Sequence, residues 1–374
     1  MTKKIIILDT DGVTSLGLVR SFAGPKFKVY AINTRSRKGL GYFSKHIFKR
    51  FYKKVGYSDQ SLLKLLIETA ELNGAHVFPT SDEMVVFLLR YRHELSGNNL
   101  LLPSAKVDYQ QLHDKDYIKD VASDSGFFVP KTYCFDRLDE ISFPVIIKPK
   151  NSLKFGKDSF RIVHDIIDIE TALIGKNSTD FFIEDYIQND DLSMYELLLF
   201  RNNKDEISNI CSILKLRQSP PVIGSSSFIK TTQIVSLSGI VRKFLDSIDY
   251  VGLVDIELKF CAKRKKLFFI EANFRAGAPI HLATVSGLNL PRGFVLGEKR
   301  NENFEFQTKY WMNDVTDPSN IFHDLSLLSF VRDIFRTNSY AVFSIFDLKP
   351  FLILAMYKIS RKLKVFRKAP QVNQ

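Results

Sequence analysis

Apolar and polar residues alternate most regularly between residues 254 and 260. The apolar positions are Val254, Ile256, Leu258 and Phe260, and the polar positions between them are Asp255, Glu257 and Lys259. This period of two predicts a strand with one buried face. A basic turn follows at residues 262–265, and residues 267–274 predict a second strand. The two strands are therefore expected to form a hairpin.

The predicted hairpin brings acidic side chains together. If it closes symmetrically about Arg264, Glu257 faces Glu271 and Asp255 faces Asn273. Opposed carboxylates repel each other, and a divalent cation between them would relieve that repulsion. Carboxylate and amide oxygens suit Mg²⁺ that is held partly by phosphates. A solvated strand face that carries unrelated acids is the alternative interpretation.

The first hundred residues predict a parallel sheet. Strand patterns at residues 4–8 and 28–32 flank a helical stretch at 15–22, and this βαβ order is typical of parallel sheets. The three-glycine dinucleotide fingerprint is missing, so no NAD site is predicted. Residues 61–72 predict an amphipathic helix, and residues 76–79 and 100–103 predict further strands. Asp82 then either caps the next helix or contacts a substrate.

The middle of the chain predicts a helix at residues 113–126 and a buried strand at 144–149. Lys148 lies at the end of that strand, where an ammonium group needs an anion or water. The basic loop at 150–157 and a strand at 160–163 suit a lid over phosphates. Further strands are predicted at 181–187, 196–200 and 207–216, and a helix at 240–248. Lys215 either contacts phosphate or belongs to a solvated basic edge.

The last quarter of the chain is less regular. Trp311 and residues 314–320 predict a polar loop, and the apolar stretch at 340–357 is interrupted by Asp347 and Pro350. Basic residues dominate from Lys358 onward. An apolar stretch with basic flanks can lie on an anionic membrane, or it can pack on the core with a solvated basic edge. Removal of residues 358–374 should lower binding to anionic vesicles if the membrane interpretation is right.

Composition narrows the class of protein and its partners. The chain has 374 residues, 45% of them hydrophobic, a formal net charge of +12 and three scattered cysteines. The charge favours polyanionic partners such as nucleotides, but no aromatic-basic groove or known motif supports nucleic acid as a partner. The apolar run at residues 5–8 is short for a signal-peptide core, and no run reaches the ~18 apolar residues of a spanning helix. A cytoplasmic protein, with membrane-peripheral contact left open, is the expectation.

The motifs together resemble the ATP-grasp superfamily of carboxylate-amine ligases, in the branch that contains D-aspartate ligase-like and carbamoyl-phosphate-synthase-like enzymes. The resemblance covers residues 1–295, and its motifs follow in the family's order. They are Asp114-Lys115 with Gly126 and Pro130, residues 143–149, the segment 183–187, the segments 252–257 and 269–275, and residues 287–291. Phe274 stands where the family usually has proline, and the loop at 151–157 is poor in glycine.

The resemblance implies an α/β plus α+β architecture. A pre-ATP-grasp parallel-sheet domain is expected at residues 1–112. A two-subdomain ATP-grasp fold is expected at 113–300, with a lid at about 113–185 and a core at about 186–300. A helical C-terminal extension with a basic tail is expected at 301–374.

The resemblance also assigns roles to residues. It implies ATP contacts by Lys115, Lys148, Glu184, Asp185, Tyr186, Ile187 and Asp191, with Lys148 and Arg275 as catalytic residues. It implies two Mg²⁺ ions, with Mn²⁺ as the alternative ion, on Glu257, Glu271 and Asn273. Asp255 either assists the metals, orients Arg275 or faces solvent.

The implied reaction is ADP-forming ligation. ATP would phosphorylate a small-molecule carboxylate to an acyl phosphate, which an amine would then attack. The alternative is a catalytically silent ATP-binding regulatory or scaffold protein of the same fold.

Overall fold

The computed structural model describes residues 2–150, 160–188, 193–204, 206–221, 224–234, 237–298, 305, 307–323 and 325–368. Asp191 and the glycine-poor loop at 151–157 lie outside the described residues. The described chain forms three sheets, one of four parallel strands, one of four antiparallel strands and one of seven strands. This mixed α/β architecture confirms the predicted fold class.

The N-terminal sheet has the order β3-β2-β1-β4. Its strands are β1 (Lys3–Leu8), β2 (Phe27–Asn33), β3 (Lys49–Tyr52) and β4 (His76–Pro79). All three neighbouring pairs are parallel, as the βαβ pattern predicts. The fully buried run at residues 5–8 places β1 in the interior of the sheet. The expected strand at residues 100–103 is wrong, because Leu101 forms only an isolated bridge to His76.

Five helices surround this sheet or follow it. They are α1 (Gly12–Ser21), α2 (Asp59–Glu68), α3 (Asp82–Arg90), α4 (Arg92–Gly97) and α5 (Tyr109–His113). Helix α2 ends before the predicted residue 72, because Thr69 adopts an extended backbone and a 3-10 turn follows. Ser81 holds the N-cap position of α3, and Asp82 lies in its first turn. The expectation that Asp82 caps this helix is therefore wrong.

The second sheet has the order β5-β8-β6-β7. Its strands are β5 (Thr132–Tyr133), β6 (Val145–Pro149), β7 (Arg161–Val163) and β8 (Phe181–Asp185). Helix α6 (Lys115–Ser125) precedes β5, and helix α7 (Ile166–Leu173) connects β7 to β8. Asp114 caps α6, because its side chain accepts hydrogen bonds from two backbone N–H groups of the first turn. Register places Lys148 of β6 opposite Phe182 of β8.

The largest sheet has the order β13-β12-β9-β10-β11-β14-β15. Its strands are β9 (Met194–Arg201), β10 (Cys211–Ser219), β11 (Ser225–Thr232), β12 (Gly252–Cys261), β13 (Lys266–Asn273), β14 (Tyr310–Met312) and β15 (Ser339–Tyr340). The helices of this half are α8 (Ser238–Ser247), α9 (Ile280–Val285), α10 (Leu290–Leu296), α11 (Leu327–Arg336) and α12 (Lys349–Lys368). Trp311 is buried in β14, so the expectation of a polar loop at this residue is wrong.

Apolar side chains cover both faces of the large sheet. On one face Leu198 and Phe200 join a core with helices α1, α9 and α10. On the other face Leu197 and Leu199 pack with α6 and α8. In β9 the first of these faces continues to Glu196, where the apolar core gives way to acidic side chains. Within the described residues, no helix has the length and apolar character needed to cross a bilayer.

Candidate functional site

A cavity of about 540 Å³ is lined by residues from all three sheets and their connecting segments. Thr80, Ser81 and Asp82 come from the end of β4 and the start of α3. Helix α6, strands β6 and β8 and the segment after β8 contribute Lys115, Lys119, Lys148, Glu184, Asp185, Tyr186 and Ile187. The large sheet contributes Glu196, Asp255, Glu257, Lys259, Glu271, Asn273 and Arg275. Basic and acidic side chains thus share one space large enough for a nucleotide.

Three glutamates form a row across the large sheet. Register pairs Glu257 of β12 with Glu271 of β13 on one side and with Glu196 of β9 on the other. Directly opposed like charges destabilise a sheet, so this row needs compensating cations. Sequence reasoning predicted the first pair but missed Glu196, because its strand is 61 positions before Glu257 and no local pattern links them.

The hairpin register also pairs Asp255 with Asn273, as predicted. The path to that register differs from a symmetric hairpin. Cys261 pairs with Lys266 at the turn, and a β-bulge that leaves out Ile270 shifts the pairing by one residue before Glu271. Asp255, Glu257, Glu271 and Asn273 all line the cavity.

One internal cation partly neutralises the glutamate row. The Lys215 ammonium lies 2.8 Å from Glu257 Oε2 and 3.1 Å from Glu196 Oε1, and its side chain is 2% exposed. Although burial alone would lower the pKa of Lys215, the two carboxylates raise it, so the ammonium stays charged. Lys215 is therefore a buried counter-charge, and the expectation of a solvated basic edge is wrong.

The remaining acidic side chains are under-neutralised. Burial raises the pKa of Asp255 well above its usual range, and the nearby Glu196 and Glu257 carboxylates raise it further. Burial also raises the pKa of Glu257, although Lys215 opposes this shift. Asp255 Oδ1 and Glu196 Oε2 are buried without a hydrogen-bond partner. An added cation would reduce the repulsion among these carboxylates and give the unpartnered oxygens a ligand.

The donor set fits Mg²⁺ that arrives with a phosphate ligand. No group of three or more His, Cys, Asp or Glu side chains in the described ranges is arranged to hold a metal ion. Mg²⁺ usually takes one or two carboxylates together with waters and phosphates, so a closed protein cage is not required. Glu257 and Glu271 provide carboxylates beside the cavity. The side-chain oxygen of Asn273 accepts a hydrogen bond of 3.3 Å from Arg275.

Two lysines form ion pairs with one buried glutamate of the cavity lining. Lys119 lies 2.8 Å from Glu184 Oε2, and Lys148 forms a close ion pair with Glu184 Oε1. Although burial raises the pKa of Glu184, the Lys148 and Lys119 ammonium groups outweigh it and lower that pKa. Sequence reasoning missed Lys119. Its spacing of four from Lys115 on α6 places both on one helix face and could have indicated it.

Other residues that were predicted to contact the nucleotide line the same cavity. Lys115 lines the cavity, with its ammonium 5.2 Å from the centre of the Phe160 ring. Asp185 accepts hydrogen bonds from the Tyr133 hydroxyl at 2.8 Å and from Arg264 at 3.0 Å, so it connects strands β5 and β8 to the hairpin turn. Tyr186 and Ile187 follow in the cavity lining.

Lys259 lines the cavity, although the family resemblance assigns it no role. It lies on the same face of β12 as Glu257, with its ammonium 4.6 Å from the centre of the Tyr186 ring. Burial, together with the Lys148 charge, lowers the pKa of Lys259 to about 8. The alternation of residues 254–260 already placed its side chain on the acidic face.

Arg275 joins the large sheet to the N-terminal domain. Its guanidinium donates to Asp82 Oδ1 at 2.8 Å and to Asp82 Oδ2 at 3.4 Å. Asp82 therefore acts as the partner of a predicted catalytic arginine. Although burial alone would lower the pKa of Arg275, Asp82 and the nearby Asp255 raise it. The cavity thus contains a fixed positive charge beside the acidic wall.

Comparisons with known proteins agree with this architecture. No family model matches the sequence. A stretch of 183 residues is 24% identical to D-aspartate ligase of Enterococcus faecium (strain Aus0004) and covers 46% of this chain and 43% of that protein. The match thus spans less than half of the length of this curated relative.

Solved structures align over most of the chain. Biotin carboxylase of Campylobacter jejuni, in a β,γ-ATP complex, aligns with a TM-score of 0.62, 19% identity, and coverage of 83% of this chain and 74% of that one. N5-carboxyaminoimidazole synthetase of Staphylococcus aureus, with ADP, aligns with a TM-score of 0.65 and 13% identity, and the alignment covers 84% of this chain and 83% of that one. L-amino acid ligase of Bacillus licheniformis aligns with a TM-score of 0.59 and 13% identity, and the alignment covers 79% of this chain and 73% of that one. At these identities the likeness shows the fold.

Proposed function

Because the chain has the ATP-grasp fold, as its motifs predicted, we propose that it is an ATP-dependent ligase that joins a small-molecule carboxylate to an amine and forms ADP. One observation carries this proposal. Lysines 115, 119 and 148 line a single cavity of about 540 Å³ together with Glu257, Glu271 and Asn273. Phosphoryl transfer needs charge neutralisation and alignment more than covalent help, and this arrangement offers both. The relative named D-aspartate ligase supports the reaction class.

The proposal divides the nucleotide among the cavity walls. The segment from Glu184 to Ile187 would read the adenine, and Asp191, outside the described residues, would hold the ribose. Lys115 and Lys148 would neutralise phosphate oxygens. Lys119 supports Lys148 by sharing the Glu184 carboxylate. The assignment of Asp191 rests on the family resemblance alone, and the other assignments rest also on the cavity lining.

Glu257, Glu271 and Asn273 would hold two Mg²⁺ ions, with Mn²⁺ as the alternative ion. Bound Mg²⁺ would neutralise charge on the β and γ phosphates and hold them in line. The carboxylates themselves gain from such a cation, because burial and mutual repulsion raise the pKa of Glu257 and Asp255. Lys215 holds one oxygen of Glu196 and one oxygen of Glu257, and both glutamates line the cavity.

The proposed reaction has two steps. A substrate carboxylate oxygen attacks the γ phosphorus, the bond to the bridging oxygen breaks, and ADP leaves. An amine then attacks the carbonyl carbon of the acyl phosphate, loses a proton, and displaces inorganic phosphate. Arg275 would hold the transferring phosphoryl group or the acyl oxyanion, and Asp82 keeps its guanidinium in position.

An ADP-release screen tests the proposal. The full chain is incubated with Mg²⁺-ATP and pools of carboxylates and amines, and ADP is resolved from AMP by chromatography. We expect ADP release that requires one carboxylate and one amine together. Glu271→Gln and Lys148→Ala should each lower the rate by roughly 100-fold or more, which is the loss typical of one electrostatic transition-state contact.

Two exposed positions provide matched controls. Glu94→Gln and Lys263→Ala change the same residue types away from the cavity and should leave the rate unchanged. Activity that persists in both site variants would refute the site assignment. ATP binding by calorimetry without ADP formation in any substrate pool would favour the alternative, a catalytically silent nucleotide-binding protein.

A further inference from the structure

Helix α11 packs against the protein on a side that has a charged residue at its centre. Within Leu327–Arg336, Asp333 is 2% exposed, and Phe330 and Ile334 are half-buried beside it. The Asp333 carboxylate lies 2.5 Å from the Arg217 guanidinium, and this ion pair holds the helix to the end of β10. Amphipathic helices of globular proteins usually bury their apolar residues most deeply.

The outward side of α11 is apolar. Leu328 and Phe335 are 85% and 84% exposed, and Leu327 and Val331 are exposed beside them. Their spacings of three, four and seven place them on one helix face. Arg332 and Arg336 flank this face with exposed side chains. Isolated exposed apolar residues are ordinary, but a helix face built of them indicates a contact surface.

Helix α12 has two apolar sides in its first half. Phe351 and Leu354 pack against the core that contains α1 and β2. Leu352, Met356 and Ile359 are 55%, 65% and 59% exposed, and their spacing of four and three places them on another side. The link between the helices adds Ile345 and Phe346, which are 67% and 73% exposed.

The charge of this region is one-sided. From Lys349 to Gln374 the sequence contains seven lysines and arginines and no aspartate or glutamate. The exposed apolar side chains of α11, of α12 and of the link between them are named here the C-terminal apolar surface. Its described basic side chains are the exposed Lys349 and Lys358 of α12 and, on α11, Arg332 and Arg336, which pair with Asp333. An in-plane amphipathic helix on an anionic bilayer has this combination.

We propose that the C-terminal apolar surface docks the protein on an anionic lipid bilayer. Leucine, phenylalanine and methionine side chains enter the boundary between head groups and acyl chains, and the flanking lysines contact lipid phosphates. A second copy of the chain is the competing occupant, but two such surfaces would bring like positive charges together. The proposal is independent of the ligase activity, because the surface is built from residues outside the cavity lining.

Vesicle flotation of the full chain tests this proposal. The probes are phosphatidylcholine vesicles with and without phosphatidylglycerol. We expect roughly tenfold more protein on the anionic vesicles, and a loss of that excess near 1 M salt, where screening shortens to about 3 Å. Leu328→Asp with Phe335→Asp, and separately Leu352→Asp with Met356→Asp, should each abolish most of the binding. Lys349→Glu with Lys358→Glu should remove the preference for anionic lipid.

Val55→Asp with Ile174→Asp is the matched control, because these residues are 78% and 76% exposed elsewhere on the surface. This control should float like the parent chain. Equal flotation of the site variants and the control would overturn the proposal, as would no flotation at all. Concentration-dependent association in sedimentation velocity, abolished by the same variants without vesicle binding, would also overturn it and assign the surface to a second copy.

Discussion

At the scale of single residues, the cavity keeps an electrostatic arrangement that a merely stable fold would avoid. Glu196, Glu257 and Glu271 oppose one another, and Asp255 is 4% exposed with one oxygen unpartnered. Lys215 compensates two of these carboxylates and does not contact Asp255 directly. Strain of this kind concentrates at functional sites, where a ligand supplies the missing charge. The free protein should therefore be less stable than a version with fewer acids.

Asp255→Asn is expected to raise the melting temperature of the protein without nucleotide or divalent cation. Burial, Glu196 and Glu257 raise the folded-state pKa of Asp255, so this carboxyl binds a proton on folding. Its penalty is absent below the unfolded pKa of about 3.9, grows as pH rises to the folded pKa, and is complete above it. We expect a gain of about 1–2 °C at pH 7, which corresponds to roughly 1 kcal/mol in a chain of this size.

Differential scanning fluorimetry across pH in the presence of a chelator measures this effect. The gain should shrink as pH falls toward about 4, where both forms of the protein hold a neutral side chain. Asp139→Asn, at an exposed position, should show no such pH-dependent gain. A lower melting temperature for Asp255→Asn at pH 7 would contradict the assigned pKa direction.

At the scale of elements, the hairpin of β12 and β13 shows what local pattern can predict. Period-two alternation identified the first strand, and a hairpin closed about Arg264 correctly paired Glu257 with Glu271 of the second. The bulge at Ile270 was not predicted, because nothing in the residue types marks where a strand accepts an extra residue. The pairs Glu257–Glu271 and Asp255–Asn273 are nevertheless as predicted, because the bulge lies between the turn and these residues and shifts the register by one.

Residues brought together by tertiary packing were the ones that sequence reasoning missed. Glu196 reaches the acidic wall through the pairing of β9 with β12, and Lys119 of α6 reaches Glu184 of β8 through an ion pair between residues 65 positions apart. Asp82 was interpreted as a helix cap or a substrate contact, yet it pairs with Arg275, which is 193 positions later. Local propensity carries no information about such partners.

The segment after β13 depends on a close approach at Gly277. A Cβ atom there would lie 2.7 Å from Asp255 Oδ2 and 2.9 Å from Leu198 Cδ2, which is too short for normal contact. Gly277→Ala should therefore displace Asp255 or move the segment that carries Arg275. We expect a loss of activity of roughly tenfold or more, in line with the cost of a small misplacement at a catalytic site.

Steady-state kinetics of ADP release, together with thermal unfolding, measures this prediction once a substrate pair is known. Gly239→Ala is the matched control, because a Cβ atom there meets nothing within 4 Å. The control lies in α8 and should keep its activity with equal or slightly higher stability. Full activity of Gly277→Ala would show that Asp255 and Arg275 tolerate the displacement.

At the scale of the whole molecule, the C-terminal segment is built into the rest of the chain. Strands β14 and β15 extend the large sheet, although they follow residue 300, where a helical extension was predicted to begin. Asp347, 2% exposed, then connects the segment to the N-terminal domain. Its carboxylate accepts hydrogen bonds from Arg20 at 3.2 Å, from the Ser44 hydroxyl at 2.7 Å and from the Lys45 backbone at 2.9 Å.

Asp347→Ala is therefore expected to destabilise the whole chain. Arg20 would remain buried without its counter-charge, and burial already lowers the pKa of Arg20 even beside Asp347. Removal of one partner of a buried ion pair costs about 3–5 kcal/mol, and the lost bonds to Ser44 and Lys45 act in the same direction. Urea unfolding should show this loss, whereas Asp136→Ala, at an exposed position, should change little. If the unpaired charge is the cause, Arg20→Met combined with Asp347→Leu should recover part of the stability that Asp347→Ala loses, because both charges are then absent. A double variant that is no more stable than Asp347→Ala would instead assign the cost to the hydrogen bonds of Ser44 and Lys45.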